Sequence, residues 1–130
     1  MKFYHIINTK RGSGITVVAK IVETQNDSNN PEKDLPYTVE CGVSYCAPVE
    51  ANFSRPRGRI IASSRLTNSK AMPLFKRFSF TTNGRDGLKT KVLSCLKEVL
   101  PINWARALVD RELERLQAVS LHRILEETAL

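Results

Sequence analysis

The chain has 130 residues, 42% of them hydrophobic and 25% charged, with a net charge of +7. This is enough for one domain, residues 1–130, with a real but modest core, and no apolar run approaches membrane-spanning length. The charge is concentrated: Phe53 to Lys91 holds ten basic residues and one acid, Asp86, so that stretch carries +9 and the rest −2, which points to a positive patch and an anionic partner such as nucleic acid, nucleotide or an acidic protein.

In chain order, Lys2–Thr9 is predicted as a strand, Lys10–Gly14 as a turn and Ile15–Thr24 as a second, β-branched strand, together a hairpin. Gly12-Ser13-Gly14 resembles a phosphate loop only superficially. It lacks a third glycine and the Lys-Ser/Thr ending, and a strand follows it instead of a helix. Gln25–Pro36 is polar and has the composition of a surface loop. Tyr37–Cys46 alternates strictly, with Tyr37, Val39, Cys41, Val43 and Tyr45 on the core face and Thr38, Glu40, Gly42 and Ser44 on a more accessible one. Gly42 marks a bulge or a close approach by another backbone.

The next stretch, Asn52 to Leu66, packs four arginines into a short predicted helix over about 55–66. Ser54 suits its cap and Pro56 its first turn. Ile61, Ala62 and Leu66 share one side. Arg65 borders that side, Arg59 lies beside Leu66, and Arg57 points away. Arginines at the edge of a core suit a planar anion, because guanidinium stays charged and offers forked donors. The same pattern also fits a solvated basic face, or salt bridges to Glu40 or Glu50.

Leu74–Thr82 is predicted as a fourth strand carrying Phe75, Phe78 and Phe80 beside Lys76 and Arg77. Interleaved aromatic and basic residues fit a base-stacking platform, but an ordinary half-buried strand is the favoured reading. Asp86 is placed to cap an amphipathic helix over Gly87–Leu100, in which Leu88, Val92, Cys95, Leu96 and Val99 recur at helical spacing. Arg85, Lys89 and Lys91 crowd its first turns against the dipole preference, which suggests an anion site there. Pro101 breaks the chain, and Asn103 is expected to cap a long last helix from Trp104 to about Glu127. Its apolar excess near Leu121–Leu125 implies a partner subunit.

Cys41, Cys46 and Cys95 form no disulfide framework or zinc pattern, and Met1–His5 does not read as a secretory signal, so a reducing, cytosolic compartment is expected. No catalytic motif is present: there is no nucleophile elbow, His-Glu-x-x-His, Walker loop or dinucleotide fingerprint. Arginine seldom acts as a base, so the chain is expected to bind and not to be an enzyme.

The segment from Cys46 to Leu66, CAPVEANFSRPRGRIIASSRL, resembles small bacteriophage-encoded proteins in which a strand is followed by a C-x-x-x-D/E-x-F-S-R-K-x-G-R-x-I-A-x-G-R-L helix. Pro56 stands here for the lysine and Ser64 for the glycine. The element order resembles the Thoeris anti-defence sponges of the first type. That resemblance implies an antiparallel sheet followed by two helices, a homo-oligomer in the host cytoplasm, and capture of cyclic ADP-ribose isomers or cyclic oligonucleotides without cleaving them. It implies Phe53, Arg55, Arg57, Arg59 and Arg65 for one anion site, and Trp104, Arg106 and Asp110 for a second.

The expectation is therefore an α+β domain. Residues 1–82 form a mainly antiparallel sheet with a short crossing helix, and 86–128 form two C-terminal helices that drive oligomerisation. Its function is sequestration of a phosphate-containing nucleotide signal, with no cofactor and no metal. The alternatives are a basic nucleic-acid binder using the same patch and a phage inhibitor docking an acidic host protein.

Overall fold

The computed structural model describes residues 1–22, 36–48 and 52–128. The fold is α+β, with elements β1 (Lys2–Asn8), β2 (Ser13–Val22), β3 (Tyr37–Cys46), α1 (Arg55–Thr67), β4 (Arg77–Thr82), α2 (Leu88–Val99) and α3 (Asn103–Thr128). The four strands form one antiparallel meander in the order β1-β2-β3-β4. Most of the polar loop expected over 25–36, and Glu50, lie outside the described residues.

The sheet is covered on both faces. Ile15, Val17, Ala19, Val39, Cys41 and Val43 point into the larger core with Val92, Leu93, Leu96, Ala105, Leu108 and Val109 of α2 and α3. On the opposite face Val18 packs with Ala62 and Leu66 of α1, and Phe3 closes the cluster. This explains β2, whose residues from Ser13 to Ala19 are all buried: a central strand covered twice cannot alternate between apolar and wet. It also corrects the expected pattern of β3. Gly42 and Ser44 are as enclosed as the core-facing positions, because α1 lies on them.

The helix rests there because the sheet offers no side chain to keep it away. A Cβ at Gly42 would overlap the carbonyl oxygen of Ala62, and one at Gly58 would overlap the Thr16 hydroxyl. The unbroken register of β3 with both neighbours resolves the two readings of Gly42 in favour of close approach. Ser54, in extended conformation, caps α1 by accepting from the Arg57 N–H at 3.3 Å, and Pro56 occupies the first turn. Arg77 closes the other end. Its guanidinium donates to the carbonyls of Arg65 (3.5 Å), Asn68 and Lys70 (2.6 Å), satisfying backbone groups that a helix C-terminus leaves open.

Three local expectations change. β4 begins at Arg77, not Leu74, because the N–H groups of Lys76 and Arg77 both turn back to the Pro73 carbonyl. Within it Phe78 and Phe80 stack on each other at 6.3 Å on the core face, as a half-buried strand requires. Asp86 does not cap α2. Gly87 does, at φ +69°, with no side-chain bond. Asn103 is the first residue of α3, one step inside the cap position, and the carbonyl of Ile102 accepts from Arg106.

Gly42→Ala is expected to lower stability by about 1–3 kcal/mol, the usual cost of overpacking, because the obstructing atom is helix backbone and cannot swing aside. Urea unfolding followed by circular dichroism measures it; an unchanged midpoint would contradict the packing described.

Candidate anion site

Beside the N-terminal half of α1 is a cavity of about 480 Å³, bounded by Ser44, Tyr45 and Cys46 of β3, by Asn52, Phe53 and Ser54 leading into the helix, and by Arg57, Gly58 and Ile61 of α1. Small-molecule sites usually measure roughly 300–1,000 Å³ and combine apolar walls with a few polar groups. Here Phe53 and Ile61 supply the apolar wall, the serines and Asn52 supply neutral donors and acceptors, and Arg57 supplies the charge.

Phe53 is held in place by the β1–β2 turn. Its N–H donates to the Gly12 carbonyl at 3.0 Å, and its ring lies where a side chain at Gly14 would stand. Behind the cavity, Tyr45 donates its hydroxyl to the Phe75 carbonyl and meets Trp104 edge-on at 6.4 Å. Burial pushes the Tyr45 phenol well above its usual range, so it stays a neutral donor.

The four arginines of α1 do not converge. Arg57 borders the cavity, on the flank facing β3. Arg65, farther along that flank, turns inward and donates to the Val43 carbonyl at 2.6 Å, so it ties helix to sheet. Arg55 and Arg59 are exposed, on the flank facing β1. Among the described residues no ion pair involves any of them, including one to Glu40.

Trp104, Arg106 and Asp110 lie on α3, across the sheet from α1. Trp104 is half-buried against the larger core, Arg106 is exposed, and Asp110 sits 2.6 Å from the ammonium of Lys97. They do not join the arginine set. The cations near α2 are also engaged. Lys91 donates to the carbonyls of Asn83 and Gly84, Lys89 pairs with Glu112, and Arg85 lies over the Tyr37 ring at 5.0 Å. The expected anion site at that helix start therefore has its charges committed elsewhere.

Sequence reasoning missed His5. It faces α1 from β1, sharing Nδ1 with the Thr16 hydroxyl at 3.0 Å and meeting the Phe53 ring edge-on at 6.0 Å. Burial first, then the charges of Arg55 and Arg59, hold its imidazole below the usual histidine range. The strand alternation that places Phe3 and His5 on one face was the available signal. By contrast the Cys41 thiol, pushed up to about 12 by burial, is inert packing. Among the described residues no cluster could hold a metal ion, and no helix is long and apolar enough to cross a membrane. The chain matches no protein-family model, no curated protein and no solved structure, so the site is read from its own geometry.

A histidine whose folded pKa is depressed stabilises the fold fully above its unfolded value, near 6.5. The unfolded chain takes up the proton first as pH falls, so stability declines below that value until the folded pKa is passed. Chemical unfolding at intervals from pH 7.5 to 5 is expected to show this decline, and His5→Gln is expected to flatten it. An equal slope in the variant would assign the pH dependence to other groups.

Proposed function

We propose that the protein binds a phosphate-bearing, nucleotide-derived small molecule in the cavity beside α1 and holds it without chemical change. The observation that carries this reading is the joining of Arg57 and the Phe53 ring at one half-open pocket, beside a helix that contains no acidic residue. The guanidinium takes a phosphate oxygen pair. The aromatic and Ile61 face the base or sugar, and Ser44, Asn52 and Ser54 bond hydroxyls. Among the described lining residues no base is paired with a nucleophile, which is why this reading has the ligand leave as it entered. The resemblance of residues 46–66 to small bacteriophage-encoded proteins, and of the element order to the Thoeris anti-defence sponges, extends this proposal to capture of a signalling nucleotide, a cyclic ADP-ribose isomer or a cyclic oligonucleotide, and so to suppression of a host defence.

Calorimetric titration with cyclic ADP-ribose isomers and cyclic di- and trinucleotides tests the reading. Saturable heat is expected with at least one. Arg57→Gln is expected to weaken it by about tenfold to a hundredfold, the usual worth of a charged hydrogen bond. Heatless titrations of folded protein against the whole panel contradict it.

Nucleic-acid binding is the second reading, favoured by the exposure of Arg55 and Arg59 outside the cavity. It predicts retention on DNA or RNA that falls steeply with salt, whereas a site of small-molecule size is expected to favour its ligand over long polymers.

The partner at α3 is proposed to be a second copy of the chain. Leu121, Ile124 and Leu125 remain 52–65% exposed on its C-terminal half, a surface that isolated domains seldom leave open. Light scattering after size exclusion is expected to give an oligomer mass, and Leu121→Glu with Leu125→Glu is expected to give the monomer. A monomeric parent protein would remove this part of the account.

A further inference from the structure

We propose that His5, Arg55 and Arg59 form a phosphate subsite on the β1 flank of α1, separated by the helix from the cavity on its other flank. Three placements bring them together. The Thr16 hydroxyl lies directly under Gly58 and bonds His5, which fixes the imidazole beside the first turns of α1. Phe53, immediately before the helix, covers the ring from its edge. Arg55 and Arg59 are one turn apart on the side of α1 that faces β1, and both are exposed.

The electrostatics of this flank are one-sided. Neither β1, β2 nor α1 contains an acidic residue. The charged groups that face His5 from α1 are Arg55 and Arg59; β2 presents it with the neutral Thr16 hydroxyl; β1 is an edge strand with nothing beyond it in the sheet. Among the described residues neither guanidinium has an ion-pair partner, and both repel a proton from the imidazole. A phosphate dianion between them reverses that field, since opposite charge within about 4–6 Å favours the charged form of a base. Binding and protonation are therefore linked: bound phosphate favours the imidazolium, which adds a third donor, while the ligand's own second protonation in the same range offsets part of that gain. The backbone at the start of α1 contributes little, because Pro56 has no N–H and that of Arg57 is taken by Ser54. The side chains must do the binding, so the subsite takes a phosphate group by charge and is indifferent to what the phosphate is attached to.

The test follows the His5 ring by nitrogen-15 NMR through a pH titration, with and without inorganic phosphate at constant ionic strength. Phosphate is expected to raise the His5 pKa by about one unit or more, as an opposing charge at this range does. The shift is expected to vanish in Arg55→Gln/Arg59→Gln, whose side chains are exposed and whose fold the spectrum itself reports. It is expected to persist in Arg57→Gln, so that failure of the cavity reading and failure of this one are distinguishable. A His5 pKa unmoved by phosphate, or moved equally in the double variant, overturns the proposal.

Discussion

The docking of α1 on bare backbone is the contact on which everything else in this fold depends. Helices usually meet sheets through layers of side chains. Here Gly42 lets the Ala62 carbonyl sit against β3, Gly58 lets the helix sit on Thr16, and Gly14 makes room for the Phe53 ring. The described apolar cluster on this face is small, Val18, Ala62 and Leu66 with Phe3, so the hydrophobic drive is modest beside that of the larger core. Shape complementarity, the Ser54 cap and the guanidinium ties of Arg65 and Arg77 hold the helix in place instead.

That close approach determines where charge is found. A helix sunk onto the sheet has no room for arginine beneath it, so its cations are divided between two flanks. Arg57 goes toward β3 and the cavity, and Arg55 and Arg59 go toward β1 and His5. Arg65, which has neither option, reaches inward to a carbonyl. Phe53 stands at the head of the helix and touches both sides: its ring walls the cavity and meets the imidazole. One short segment thus presents a positive, aromatic-lined surface that pairs with no acid among the described residues, an arrangement suited to phosphate on a small organic body.

Much of this was legible in the sequence. Strict alternation marked β3 to its ends, and Ser54 and Pro56 marked the start of α1, because local backbone chemistry decides those features. Gly42 announced a bulge or a close approach, without saying which or what approached. Convergence was not legible. Arg55, Arg57, Arg59 and Arg65 look alike in a string, and only the placement of the helix on Thr16 and Gly42 separates a cavity wall from a structural tie. His5 was overlooked because its significance comes from a neighbour far along the chain. Arg77 looked like part of a basic strand, but the turn at Pro73 aims it at the end of α1. The cations around α2 suggested an anion site, and tertiary partners for them were invisible until the chain was folded.

Backbone amide shift mapping with a phosphorylated nucleoside ligand puts the central claim to the most direct test, since it locates contact without presuming affinity. The account predicts that the perturbed amides gather at Ser44–Cys46, Phe53, Arg57 and Gly58, on the α1 face of the sheet. Perturbations gathered on α2 or α3, or scattered over the basic surface with no focus at Phe53 and Arg57, would contradict it.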